Sequence, residues 1–255
     1  MDFRVAETTL SVNIADEASL LAAVAARLQA RQGFALATLN LDHLAKLRTN
    51  RAFRKAYAAQ DLIVADGNPI VWLSWLARRP VQLLPGSDLV LPLAKLAAEA
   101  GVGVGLVGSS SSALAGAAAH LMRAVPNLIV TLQHAPPMGF DPESPEAAAL
   151  LSEIAARQVG LCFVALSAPK QEIFAARGRQ LAPHVGFASI GAGLDFLSGD
   201  QIRAPLWVRH IAMEWLWRGL SSPRRLLPRY VACLAILPAE MRAAYRQGQK
   251  PNSSG

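Results

Sequence analysis

Along the chain, short runs of consecutive apolar residues alternate with longer stretches whose apolar positions recur at helical spacing. Six short runs read as strands: Phe34–Leu39, Leu62–Ala65, Val102–Val107, Leu128–Leu132, Leu161–Leu166 and Val185–Ile190. Most are apolar at every position, as strands covered on both faces must be. Between them, Leu41–Ala59, Asp88–Glu99, Ser112–Ala124, Pro145–Arg157 and Pro169–Leu181 are amphipathic or alanine-rich and predict helices. Strand and helix in alternation imply α/β architecture, a Rossmann-like parallel sheet wound by helices. Pro205 and Pro223 stand at or beside first-turn positions of two further predicted helices, Leu206–Leu220 and one from about Pro223. The organisation expected is an α/β catalytic domain over 1–199, a C-terminal helical appendage over 200–247 and a disordered tail over 248–255.

A doubly wound sheet binds ligands outside the carboxyl ends of its strands, so chemistry is expected in the residues that follow each one. Those residues are polar here: Thr38-Leu39-Asn40-Leu41-Asp42, Asp66-Gly67-Asn68, Gly108-Ser109-Ser110, Gln133-His134, Pro169-Lys170-Gln171-Glu172 and Gly191-Ala192-Gly193-Leu194-Asp195. Any one of them is explained equally well by the turns and caps that strand ends require. Together they would converge on one crevice. Gly103 to Gly108 matches G-x-G-x-x-G, but its glycines lie within the predicted strand rather than after it, and no acidic residue follows about twenty positions on. That argues against a dinucleotide fingerprint. The turn from Gly108 to Ser112 is better read as a source of N–H groups and hydroxyls for a phosphate or nucleoside.

Charge changes the picture at the carboxyl end. From Gln201 onward nine Lys/Arg face two acids, a surplus equal to the net charge of +7, so the first 200 residues are neutral. Trp207, Trp215, Trp217, Tyr230 and the uncharged run Tyr230–Ala239 are interleaved with those arginines. The mixture suits an interface where anionic phosphate meets hydrocarbon. A solvated basic helix and nucleic-acid binding are the other readings of a pI near 10. The 53 % hydrophobic content is enough for one large core plus an appendage. Cys162 and Cys233 form neither a metal spacing nor a disulfide framework, which makes a reducing cytoplasm the default. The opening MDFRVAETTL does not read as a signal peptide, and Tyr230–Ala239 is about half the ~20 residues of a membrane span.

In chain order, Thr38-Leu39-Asn40, Ala65-Asp66-Gly67, Gly86-Ser87-Asp88-Leu89, Pro136-Pro137-Met138-Gly139-Phe140, Pro169-Lys170-Gln171-Glu172 and Gly191-Ala192-Gly193-Leu194-Asp195-Phe196 are followed by Arg203-Ala204-Pro205, Glu214-Trp215, Arg218, Pro223-Arg224-Arg225 and Arg229-Tyr230. This series, over about Phe34 to Tyr230, resembles the WecG/TagA/CpsF glycosyltransferases. The resemblance implies an enzyme on the cytoplasmic face of the inner membrane, peripheral to it. It would move a sugar, with inversion, from a UDP-sugar to a polyprenyl-diphosphate-linked saccharide in cell-surface or exopolysaccharide synthesis. No cofactor, metal or nucleic acid is implied, and a homo-oligomer is left open. The chain has no Asp-x-Asp to hold a divalent ion against a pyrophosphate, so arginines and backbone dipoles would have to neutralise the leaving diphosphate.

On that resemblance Asp66 is the candidate general base, taking the proton of the acceptor hydroxyl; capping the helix that starts near Asn68 is its alternative or additional role. Thr38, Asn40, Gly67, Asp88, Gly108, Ser109, Gln171 and Asp195 are candidate substrate-binding residues. Arg203, Arg224, Arg225 and Arg229 are candidate cations for the diphosphates. Lys170 and Glu172 read as an exposed helix start. One departure stands out: the family usually carries an arginine three residues before the Gly of Gly-Ser/Thr-Asp, and this chain has Leu83 there. The donor sugar is therefore open, and a catalytically inactive, membrane-associated nucleotide-sugar-binding homologue is the rival reading.

Overall fold

The structure is a computed structural model and describes residues 1–199 and 223–249, with side chains in the second stretch from 227 onward. The helix expected over Leu206–Leu220, its tryptophans and Arg203 lie outside the described residues, as do the side chains of Arg224 and Arg225 and the tail from 250. An antiparallel hairpin, β1 (Asp2–Val5) and β2 (Thr8–Ser11), opens the chain, followed by α1 (Glu17–Gln29). The main body then runs β3 (Phe34–Leu39), α2 (Leu41–Thr49), α3 (Arg51–Ala58), β4 (Leu62–Ala65), α4 (Asn68–Leu76), α5 (Gly86–Glu99), β5 (Gly103–Gly108) and α6 (Ser111–Ala124). It continues through β6 (Val130–His134), α7 (Pro145–Ala156), β7 (Val159–Ala165), α8 (Lys170–Leu181), β8 (Gly186–Ser189) and α9 (Gly193–Ser198), and α10 (Pro223–Gly248) follows.

The six predicted strands form one parallel sheet in the order β4-β3-β8-β7-β5-β6. Successive residues serve opposite faces. Leu62 and Val64 join the layer with α1, α5 and α6, whereas Ile63 and Ala65 join the layer with α2, α3, α4 and the hairpin. Phe187 and Val164 pack under α7 and α8. The outer edge of β4 is blunted by side-chain and main-chain cover: Asn13 Oδ1 accepts from Ile63 N at 2.8 Å, and Leu84 N donates to Ala65 O at 2.8 Å.

Two features depart from the expectations. The hairpin carries no strong period of its own, yet Phe3, Val5 and Leu10 complete the core beside α2 and α3; α1 is not among the predicted helices, although Leu20, Val24 and Leu28 recur at four-residue spacing behind an Asp16 cap and are buried. The single helix predicted over Leu41–Ala59 is two, because Asn50 adopts extended backbone (φ −101°, ψ 104°) and its side chain accepts from Phe53 N at 2.9 Å, closing α2 and capping α3.

Helix α10 lies against α2 and α4. Ile236 and Ala244 are buried in the same cluster as Leu44, Leu47 and Ile70. Three polar ties run along it: Arg229 to Asp42 (2.7 Å), Glu240 to Arg48 (2.7 Å) and Gln247 Nε2 to the Asp2 carbonyl (2.7 Å). Among the described residues no helix is long and apolar enough to cross a membrane. If this packing holds the helix, Ile236→Ala should cost about 2–3 kcal/mol, since a buried β-branched side chain is lost with incomplete collapse. Urea unfolding and proteolysis within 227–248 would measure it; an unchanged midpoint and protection would mean that α10 is held by its polar ties alone.

Candidate active site

A parallel sheet delivers every strand's carboxyl end to the same side, and the loops there lie in strand order, about 4.8 Å apart. The polar residues after β4, β3, β8, β7 and β5 therefore form a continuous rim. Thr38, buried at the end of β3, donates from Oγ1 to Asp66 Oδ2 at 3.3 Å. Asp66 N in turn donates to Leu39 O at 2.7 Å, which fixes the backbone of the Asp66 turn against β3. Asn40 caps α2, its side-chain oxygen accepting from His43 N at 2.9 Å. Gly67, at φ +111°, caps α4 by backbone alone. Gly67, and not Asp66, occupies the N-cap position of α4, and the Thr38 hydroxyl is a partner of the Asp66 carboxylate.

Beneath this pair lies a dry polar chain. Tyr57 OH donates to the Thr38 carbonyl at 3.2 Å and stands 3.0 Å from His43 Nδ1. With the Tyr57 proton on the Thr38 carbonyl, the compatible His43 tautomer is the one that carries its proton on Nδ1. Burial, the largest influence, pushes the imidazole down to about 3 and keeps it neutral. Burial also lifts the Tyr57 phenol well above its usual range, with the carboxyls of Glu172 and Asp66 adding to the shift. The core under Asp66 is therefore uncharged and rigid.

The other half of the rim is stitched by side chains from neighbouring loops. Gly108 turns at φ +116° after β5, and a Cβ there would meet Ala165 O at 2.3 Å. Ser109, itself at φ +56°, donates from Oγ to Asp195 Oδ1 on α9. Gln171 is buried and accepts from Gly191 N at 3.1 Å. The start of α5 reaches the same place: a Cβ on Gly86 would lie 3.0 Å from Ile190 Cα, and one on Gly193 would lie 3.3 Å from Ser87 Cα. That brings the turn carrying Asp88 against the β8 loop. Helices α4, α5, α8 and α9 all begin here without a side-chain cap, whereas α1, α2, α3, α6 and α7 are capped. Part of each first turn is closed by backbone bonds (Ile70 N to Gly67 O, Asp88 N to Pro85 O, Lys170 N to Ser167 O, Gly193 N to Ile190 O), and Pro69 has no N–H. These helix starts therefore offer an anion the positive end of the dipole and only the remaining N–H groups.

Arg229 reaches the rim but is engaged there. Its Nε and Nη2 donate to the two oxygens of Asp42 at 3.1 and 2.7 Å. Burial opposes the Asp42 charge, but the hydrogen bonds from Arg229 and then Lys46 outweigh it and hold the carboxyl below its usual range. Lys46 Nζ, 2.8 Å from Asp42, extends the chain to the Ala168 carbonyl at 3.4 Å, in the loop before α8. Leu83 is bridged to Ala65, next to Asp66, and is 38 % exposed, so the position where the family arginine is missing borders the rim. Among the described residues no group of three or more His, Cys, Asp or Glu is placed to hold a metal ion.

Sequence reasoning named Asp42 as a strand-end residue without giving it a role, missed Lys46, His43 and Tyr57, and misread Glu172. That residue is fully buried, not an exposed helix start, because α8 presents it to the sheet and α3. The Asp42/Lys46 pair at i,i+4 was the one local signal for the Arg229 anchor. His43, Tyr57 and Glu172 come together only through the tertiary fold.

Residues 6–252 match the family described as Glycosyl transferase WecG/TagA/CpsF family, which is nearly the whole chain. Gly108→Ala tests the rim. An L side chain at that backbone angle is strained and would press on Ala165 O, so a loss of roughly 1–3 kcal/mol is expected. Calorimetry would register it as a fall of several degrees in Tm; an unaltered Tm would show that the turn after β5 relaxes freely.

Proposed function

The chain belongs to the WecG/TagA/CpsF family of glycosyltransferases, and on that premise we propose that it is an inverting hexosyltransferase taking its sugar from a UDP-sugar donor. The acceptor in this reading is a polyprenyl-diphosphate-linked saccharide presented at the inner face of the membrane, within cell-surface or exopolysaccharide synthesis. The observation that carries it is the carboxylate of Asp66, oriented by Thr38 at the mouth of a rim where uncapped helix N-termini converge. An inverting transfer needs a base on the face opposite the leaving group and a stabiliser for the departing diphosphate. Asp66 fills the first role.

For the second, the N–H groups of the rim act with Arg203, Arg224, Arg225 and Arg229. Arg229 is held near Asn40 by Asp42, a position from which it can exchange one anionic partner for another. Thr38, Asn40, Gly67, Asp88, Gly108, Ser109, Gln171 and Asp195 are proposed to hold the donor. Residues 1–199 are the proposed catalytic body and 200–247 the proposed appendage. With no Asp-x-Asp in the chain, the transfer is proposed to need no metal.

A membrane-facing role for the appendage is supported by the outward face of α10. Leu227, Val231, Leu234, Met241 and Tyr245 recur there every three, four or seven residues and are exposed, and Trp72 and Trp75 of α4 are exposed as well. Arg242 and Arg246 flank them, as suits an anionic bilayer surface. The rival, an inactive nucleotide-sugar-binding homologue, draws its support from the exposed Leu83 beside Asp66.

Release of UDP in the presence of a lipid-linked acceptor separates the two. Transfer is expected in the wild type, unaffected by EDTA. Asp66→Asn should lose ~10²–10⁴-fold in rate while retaining nucleotide affinity, because the amide keeps the shape but cannot take the proton. Wild-type turnover in the variant would remove Asp66 from the chemistry; no turnover in the wild type with every UDP-sugar tried, despite binding, would favour the inactive homologue.

A further inference from the structure

Glu172 is wholly buried at the start of α8, and its surroundings tie it to the rim. Its Oε1 accepts from Gln171 Nε2 at 2.8 Å. The same Gln171 accepts from Gly191 N at 3.1 Å, so a two-link chain runs from the buried carboxyl to the second residue of the β8 loop. That loop turns at Gly191 (φ +58°) and leads into α9, where Asp195 takes the hydroxyl of Ser109 from the β5 turn. On its other side Glu172 is fixed by backbone: its carbonyl accepts from Gln60 Nε2 at 3.2 Å, which joins α8 to the end of α3.

The second oxygen, Oε2, has no protein partner among the described residues, and neither does the buried hydroxyl of Ser189. Ser189 stands two residues after Phe187 and so lies on the face of β8 that packs under α8. An ionised oxygen left unpaired in such a place costs several kcal/mol, so the neutral acid is the form this site accommodates.

We infer that Glu172 is a positioning residue for the donor crevice: its buried, uncharged carboxyl fixes the Gln171 amide, and that amide fixes the backbone of the Gly191–Asp195 loop. This rests on the reading that the loop contacts the donor. Free Gln171 would swing about its side-chain torsions, and the Gly191 N–H would lose its acceptor. The charged and titratable groups around Glu172 are Tyr57 from α3, Lys46 from α2 and, beyond Tyr57, Asp66. Burial is the main cause that pushes the carboxyl up to about 7 from its ordinary 4.5; hydrogen bonds from Gln171 and the backbone, and the Lys46 charge, pull the other way. The sign follows: a raised carboxyl gives stability that is complete below about 4.5 and is lost as the pH rises through about 7. Donor affinity follows ionisation of the folded protein alone and therefore weakens as the pH rises through about 7.

Two substitutions test this. Glu172→Gln keeps a neutral acceptor for Gln171, whereas Glu172→Leu removes the acceptor but fills the space with apolar volume, a change that buried sites commonly tolerate. At pH 6 the Gln variant should keep the donor KM and the Gly191 amide exchange rate within about twofold of wild type. The Leu variant should raise both about tenfold, the size expected when a buried donor is left without its partner, with kcat changed by less than threefold. Between pH 6 and 8.5 the donor KM should climb in the wild type and stay level in the Gln variant. The inference is overturned if the Leu variant leaves Gly191 exchange unchanged, if the Gln variant is as impaired as the Leu variant, or if wild type and Gln variant share one pH profile. The exchange rate is read without substrate, so failure of the transferase reading would appear separately, as absence of UDP-sugar binding in the wild type.

Discussion

A parallel sheet covered by helices on both faces can meet water only at its ends, and everything functional in this protein follows from that constraint. β3, β4, β5, β7 and β8 are almost wholly apolar because a polar side chain along them is buried and needs a partner, whereas the edge strand β6 carries Thr131, Gln133 and His134. Polar residues are driven to the strand ends, and the right-handed crossovers deliver all the carboxyl ends to one rim. Thr38, Asp66, Ser109, Gln171 and Asp195 are neighbours for that reason, although they are spread over most of the chain. The same geometry sends helix N-termini to that rim. Where the chain supplies no capping side chain, at α4, α5, α8 and α9, it leaves donors for an anionic ligand.

What stiffens the rim is a set of polar contacts made under it rather than on it. His43, Tyr57 and Glu172 are buried and held uncharged, or favoured so, by their lack of solvent. Tyr57 is bonded to the Thr38 carbonyl near the end of β3, His43 to Tyr57, and Glu172 to Gln171 at the start of α8. The chain Arg229–Asp42–Lys46–Ala168 adds α10 to this frame, so the carboxyl-terminal helix is joined to the loop before α8 through two side chains. A change in the position of α10 would be felt at that loop, which gives the appendage a physical route to the crevice.

Five strands were legible as short apolar runs, with β3 and β4 ending where the pattern ends, at Leu39 and Ala65; β6 lies two residues beyond the run Leu128–Leu132 and takes in Gln133 and His134, which were expected after it. The hairpin was not legible, since β1 alternates weakly over four residues and gains its burial by pairing with β2 and packing on α2; α1 shows Leu20, Val24 and Leu28 at helical spacing and was passed over. Asn50 shows the same limit from the other side: an amphipathic period passes smoothly through it, and only its capping geometry reveals a break. In the site, the strand-end rule found Asp66, Thr38 and Gln171, because their position in sequence decides their position in space. It could not find Tyr57, which lies on α3 and reaches the strand end by tertiary packing, and although it included Glu172 it could not tell that this residue turns into the core. Gly108 and Gly191 were visible as glycines, but the reason for them, a positive φ at each turn, needs the backbone.

The central claim is that the carboxyl-end rim, from Thr38 across to Ser109, is one donor-binding crevice. Amide hydrogen exchange with and without UDP tests it most directly, since it reports on backbone contacts without requiring turnover or an acceptor. Protection should rise together after β3, β4, β5, β7 and β8, at Leu39–Asp42, Asp66–Ile70, Gly108–Ser112, Lys170–Glu172 and Gly191–Asp195, and the opposite edge of the sheet should be unchanged. Protection at the amino-terminal edge, or on one of these loops alone, would contradict the account.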